Sequence, residues 1–168
     1  VEYAPGEAIG APDHPHRGFE TVTYVLEGEA EHEDSAGHRG TIGAGDVQWM
    51  TAGAGIVHSE MPSRSMREHG GRMHGFQIWV NLPSRLKMTP PRYQGLQGDA
   101  IPALEAAGGK ATRNLISGEW GGAMGPVESI TGNFMSTISA RASAQLDFED
   151  LGGRGVFLYV VSGSVRVS

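Results

Sequence analysis

HPHRGFETVTYVLEG, residues 14–28, carries two signals in one short segment. Its second half, FETVTYVL at 19–26, is β-branched and aromatic, and Glu27-Gly28-Glu29 closes it with a turn, so it reads as a strand. Its first half, His14-Pro15-His16, spaces two imidazoles i, i+2, which on a strand puts both on one face. The same spacing returns in His58-Ser59-Glu60. Two neighbouring strands carrying these pairs would aim three imidazoles and one carboxylate at a single spot. That donor set suits a divalent transition metal and leaves coordination positions open for chemistry.

Outward from this segment the β pattern continues. A return strand is expected at 30–33, a glycine turn at 41–45, and strands at 46–50, 56–61 and 76–82. The small-residue bend at 51–55 is expected to let backbone pass close to something bulky. Residues 83–98, rich in proline and basic side chains, read as a connector, and IPALEAA at 101–107 as one or two helical turns closed by Gly108-Gly109. Strands are expected again at 113–118, 134–140, 145–148 and 156–161. With 26 glycines between short apolar runs, an all-β sandwich or barrel is the favoured class.

The bulk composition excludes several functions. A net charge of −6 with 19% charged residues offers no field for nucleic acid or an anionic membrane. No apolar run is long enough to span a bilayer and no signal peptide is visible. Zero cysteines exclude disulfides, thiolate metal sites and thiol nucleophiles, and a cytoplasmic location is the default. All seven histidines lie between His14 and His74, which a purely structural use of histidine does not explain.

Residues 24–30 (YVLEGEA) echo residues 159–165 (YVVSGSV), as expected of two copies of one strand–glycine–strand unit. At that offset His14 and His16 fall on Glu149 and Leu151, so the second copy lacks the ligand set. The chain begins at Val1 and stops at Ser168 inside an alternating pattern. It therefore reads as part of a longer protein in which further residues complete the second sheet.

These motifs resemble the cupin superfamily and, within it, the pirin family. The first cupin signature is His14-Pro15-His16, Glu20 and Gly28; the second is Gly45-Asp46, the bend at 53 and 55, and His58. The segments at 14–28, GDVQWMTAGAGIVHSEMP at 45–62 and FQIWVNLP at 76–83 are worded as in pirins, and the likeness resumes at RNLISG, 113–118. The resemblance implies an all-β fold of two cupin-type jelly-roll barrels in tandem, the second incomplete in this chain. Residues 1–83 would form the metal-binding barrel, with its first strands expected to precede Val1. Residues 84–112 would connect it to a partial, metal-free barrel at 113–168.

Carried over, the pirin metal ligands fall on His14, His16, His58 and Glu60. General cupins take their carboxylate from the first motif, here Glu20, and spacing alone does not separate the two glutamates; the HSEMP wording favours Glu60. The cofactor implied is Fe(II), with nickel, manganese, copper or zinc compatible. The activity implied is a quercetin 2,3-dioxygenase cleaving a flavonol with dioxygen, with Glu60 as catalytic base. The alternative is a non-enzymatic, iron-dependent regulator acting on a transcription factor or metabolic enzyme. A cupin isomerase or sugar-binding barrel ranks last, because nothing suggests phosphate binding. Partners are thus a small aromatic substrate, dioxygen and, in the regulatory reading, another protein, without direct contact to nucleic acid or membrane.

Outside the motifs, His38 and His69 sit in polar loops and read as surface, while His74 lies just before a core strand, where it could line the pocket but is not assigned to it. Trp49, Trp79 and Trp120 read as core or interface residues rather than substrate stackers, and Met50, Met61 and Met73 as packing.

Overall fold

A computed structural model describes residues 1–149 and 151–168. The N-terminal part contains β1 (Glu2–Tyr3), β2 (Ala11–His16), β3 (Phe19–Glu27), β4 (Ala30–Asp34), β5 (Arg39–Ile42), β6 (Val47–Thr51) and β7 (Ile56–Pro62). A short helix α1 (Arg64–His69) follows, then β8 (Gly71–Arg72), β9 (His74–Asn81) and β10 (Arg92–Leu96). The C-terminal part adds β11 (Ala103–Ala106), β12 (Ala111–Ser117), β13 (Glu119–Trp120), β14 (Ala123–Met124) and β15 (Met135–Ala140).

Two four-stranded antiparallel sheets make the first barrel, ordered β2-β7-β4-β5 and β10-β6-β3-β9. The β-branched run at 19–27 becomes the central strand β3, paired with β6 on one side and β9 on the other. Its alternation gives the sheet two different faces. Thr21 and Thr23, with Gln48 and Met50 of β6 opposite them, face the sheet that carries the histidines. Val22, with Val47 and Trp49, faces the other way and packs against Ile101, Ile116 and Val127 of the C-terminal part. The main core therefore lies between the first barrel and the three-stranded sheet β11-β12-β15.

The bend at 51–55 behaves as the sequence suggests. Gly53 sits at φ +50°, and a Cβ there would collide with the Thr89 carbonyl. Ala54 N donates to that same carbonyl at 2.9 Å, so the turn is clamped onto the backbone before β10.

Four expectations change. Residues 92–96, read as connector, form β10 and extend the sheet through β6. IPALEAA is not helical: Ala103–Ala106 pairs with β12, and Gly108 and Gly109, both at positive φ, close a hairpin instead of capping a helix. Pairing to a neighbouring strand outweighs the modest helix propensity of Ala, Leu and Glu. Ser63, whose hydroxyl accepts from Met66 N, caps a helix that the β pattern hid. Residues 145–148 and 156–161 alternate like strands but have no ladder partner among the described residues. Gly163 (φ +81°) does repeat the turn geometry of Gly28 (φ +90°), so the echo persists locally. Tyr159 packs edge-on against Phe76 of β9 at 4.8 Å between ring centroids.

Candidate metal centre

Strand register assembles the site. On β2 and β7, His14 lies directly opposite His58, and His16 opposite Ile56. A register shift between Ala11 and His14 accommodates an extra residue on β2 just ahead of the pair. Such bulges commonly re-aim a neighbouring side chain. The i, i+2 spacing then keeps both β2 imidazoles on the His58 face. Ring centroids are 4.7 Å apart for His14–His16, 4.4 Å for His14–His58 and 4.8 Å for His16–His58. One ring nitrogen from each lies within 4.8 Å of the others.

The hydrogen bonds leave metal-facing atoms free. His14 Nδ1 donates to the Pro12 carbonyl at 2.7 Å, leaving Nε2 available. His16 Nε2 and His58 Nε2 are buried and have no hydrogen-bond partner among the described residues. Orphaned, buried imidazole nitrogens facing one another fit a divalent cation. Burial, followed by the charge of His14, pushes the His16 pKa below the ordinary imidazole range, with Glu60 opposing. Burial, then His14, His32 and His16, brings His58 down to about 3. Both rings therefore stay neutral at ordinary pH, as coordination requires.

The two candidate carboxylates part company here. Glu60 sits two residues beyond His58 on the same face of β7, half-buried. Its Oε1 accepts from Thr23 Oγ1 at 3.1 Å and its Oε2 from Gln77 Nε2 at 2.7 Å. Thr23 and Gln77 are a cross-strand pair of β3 and β9, so the facing sheet grips the carboxylate. Glu60 stands outside the tight three-imidazole group, beside it and tethered. Glu20 lies on the opposite face of β3, level with Thr51, which donates to its Oε1 at 2.7 Å. Strand alternation directs it toward the C-terminal part, away from the histidines.

An aromatic rim borders the cluster. Phe19 and Trp79 stack with centroids 4.7 Å apart, and the His16 ring meets each edge-on, at 5.0 and 5.3 Å. Of the two readings offered for the tryptophans, core or interface, Trp49 at 1% exposure is core and Trp79 at 62% is not. The difference is the face of the sheet each occupies. Of the remaining histidines, His38 and His69 are exposed as read, while His74 packs beside Phe76 and stays outside the cluster.

Sequence reasoning passed over four contributors: His32, Asp34, Thr23 and Gln77. The signal for the first two was present, since His32-Glu33-Asp34 repeats the i, i+2 spacing on β4, and both side chains are buried. The signal for Thr23 and Gln77 exists only in the register of β3 with β9.

The Pirin family's sequence profile matches residues 1–80. A pirin-like protein of Caulobacter vibrioides is 48% identical over 161 residues, covering 95% of this chain and 56% of its own length. The chain belongs to the pirin family. Pirin-like protein 2 of Arabidopsis thaliana is 47% identical over 145 residues, covering 86% of this chain and 43% of its own length. Among solved structures, quercetin 2,3-dioxygenase from Acinetobacter baumannii superimposes with a TM-score of 0.69 at 46% identity, over 76% of this chain and 44% of that one. This pirin chain thus spans about half the length of the curated relatives it matches. Its fold is that of a tandem cupin, with the N-terminal jelly roll and part of the second barrel present. The pirin histidine cluster can bind a metal, and no helix among the described residues is long and apolar enough to cross a membrane.

Proposed function

We propose that His14, His16, His58 and Glu60 hold a divalent metal, Fe(II) in the first instance, and that the site is a dioxygenase centre acting on a flavonol such as quercetin. The observation that carries this reading is the set of free, buried imidazole nitrogens beside a tethered carboxylate. The relative solved as a quercetin 2,3-dioxygenase supports the substrate class. When bound, the metal supplies a Lewis acid that lowers the pKa of a ligated hydroxyl and a redox centre for dioxygen.

The residues of the chain do the rest. The exposed face of Trp79, backed by Phe19, offers a flat aromatic substrate a stacking surface next to His16. Glu60 takes the phenolic proton as general base, with Thr23 and Gln77 fixing its orientation. Gln77 also accepts from Trp79 Nε1 at 2.9 Å, so one side chain links the stacking surface to the base. The neutral imidazoles offer lone pairs at ordinary pH.

Aerobic incubation of Fe(II)-loaded protein with quercetin, following the flavonol absorbance, tests the proposal. Turnover is expected in the wild type and a loss of at least about 100-fold in Glu60→Gln with metal retained, the scale of a missing general base. Metal binding without any turnover would overturn the enzyme and favour an iron-dependent regulator.

A further inference from the structure

Behind His58, on the side away from His14 and His16, lies a second buried group from β4. His32 is 2% exposed and its Nδ1 stands 3.4 Å from His58 Nδ1. On its far side His32 Nε2 lies 3.5 Å from Asp34 Oδ2, with both side chains fully enclosed; this is a charge contact, and His32 Nε2 makes no closer hydrogen bond among the described residues. Asp34 is itself held firmly: Oδ1 accepts from Ala36 N at 2.9 Å and His38 N at 3.0 Å, and Oδ2 from His38 Nδ1 at 2.9 Å. Tyr93 of β10 stacks on His32 and on His38, at 4.9 and 5.3 Å, so the facing sheet clamps both rings.

We infer that His32 and Asp34 are positioning residues that fix the tautomer and orientation of His58 for metal binding, an inference that rests on the metal reading above. Two imidazole nitrogens in contact require one proton between them. If His58 binds metal through Nε2, its proton is on Nδ1 and is donated to His32 Nδ1. His32 then carries its own proton on Nε2, the atom facing the Asp34 carboxylate. The chain Asp34–His32–His58 thus has one consistent proton arrangement, and it frees His58 Nε2, which has no hydrogen-bond partner among the described residues. The buried negative charge at its end raises the basicity of the ligand through both rings.

Zn(II) affinity, measured by chelator competition on the 168-residue chain, tests this with wild type, His14→Ala, His32→Leu, His32→Asn and Asp34→Asn. His32→Leu removes the acceptor, and a loss of about 10- to 100-fold is expected, the range for outer-shell partners of metal-bound histidine. His32→Asn offers an amide oxygen near the position of Nδ1 and should recover most of the affinity. Asp34→Asn can keep the oxygen that binds Ala36 N and His38 N, and should weaken Zn(II) without unfolding the loop. A nitrogen-15 NMR spectrum of the Zn(II) form should show a proton on His58 Nδ1 in wild type. That tautomer should be lost or mixed in His32→Leu.

Wild-type affinity in His32→Leu and Asp34→Asn, with His14→Ala impaired, would overturn the relay while leaving the metal site standing. Equal losses in His32→Leu and His32→Asn would also overturn it, since the accepting atom would then be irrelevant. A wild type that binds no Zn(II) would overturn both readings.

Discussion

Burial inside the sandwich makes His16, His32 and His58 costly to protonate, and this couples the site to pH. In the fold His58 is held at about 3, and His16 and His32 are lowered as well, against 6.5 for a free imidazole. Between these limits the unfolded chain binds more protons than the native one, so stability falls as pH drops through that window. Asp34 adds to the trend: its pKa is lowered, burial being outweighed by hydrogen bonds from His38 and Ala36, and its contribution disappears as acid protonates it. The metal-free protein is therefore expected to melt several degrees lower at pH 5 than at pH 7. Equal melting temperatures across that range, measured by calorimetry, would show that these rings titrate normally in the fold. Arg113 is the converse case, a cation enclosed without a hydrogen-bond acceptor among the described residues, with its guanidinium 4.0 Å from Trp120 and 4.5 Å from Phe148. Aromatic faces there stand in for a counter-ion.

At the scale of elements, the turn between β6 and β7 fixes the height of the strand that carries His58. Gly53 donates nothing chemically, but its positive φ and missing Cβ let Thr89 approach. Gly37 shares a positive φ (+89°) yet has open space around it. Replacing Gly37 with Ala should cost on the order of 1 kcal/mol through backbone strain alone. Gly53→Ala should cost clearly more, above about 2 kcal/mol, because the Thr89 backbone must also move. Urea denaturation of the two variants separates the effects; equal costs would mean that the close approach carries no weight.

For the whole molecule, the middle sheet serves two masters. Its inner face is polar where Thr23 and Gln77 grip Glu60, and its outer face is apolar where Val22, Val47 and Trp49 meet Ile116. Stability and chemistry are thus assigned to opposite faces of the same strands. Ile116 is fully buried, and Ile116→Ala should lower stability by about 2–5 kcal/mol. Its metal content should remain that of wild type at temperatures where the protein stays folded. Loss of metal from a variant with unchanged circular dichroism would show that the two faces are coupled.

Residues 14–30 and 45–62 by themselves determined much about this pirin. Strand periodicity and i, i+2 spacing are local properties, so the β class and the three histidines that cluster are legible wherever the chain is read. Sequence is least informative where a strand depends on a distant partner: 103–106 is a strand because β12 pairs with it, whereas 156–161 meets no ladder among the described residues. Spacing accepts both Glu20 and Glu60, and the HSEMP wording favours Glu60; that they lie on opposite sides of the middle sheet is a fact of tertiary structure, since only the packing of one sheet against another tells inside from outside. The same holds for Trp79, and for the Asp34–His32 chain behind His58. Alternation places a side chain on one of two faces, and what each face meets is settled only when the layers come together.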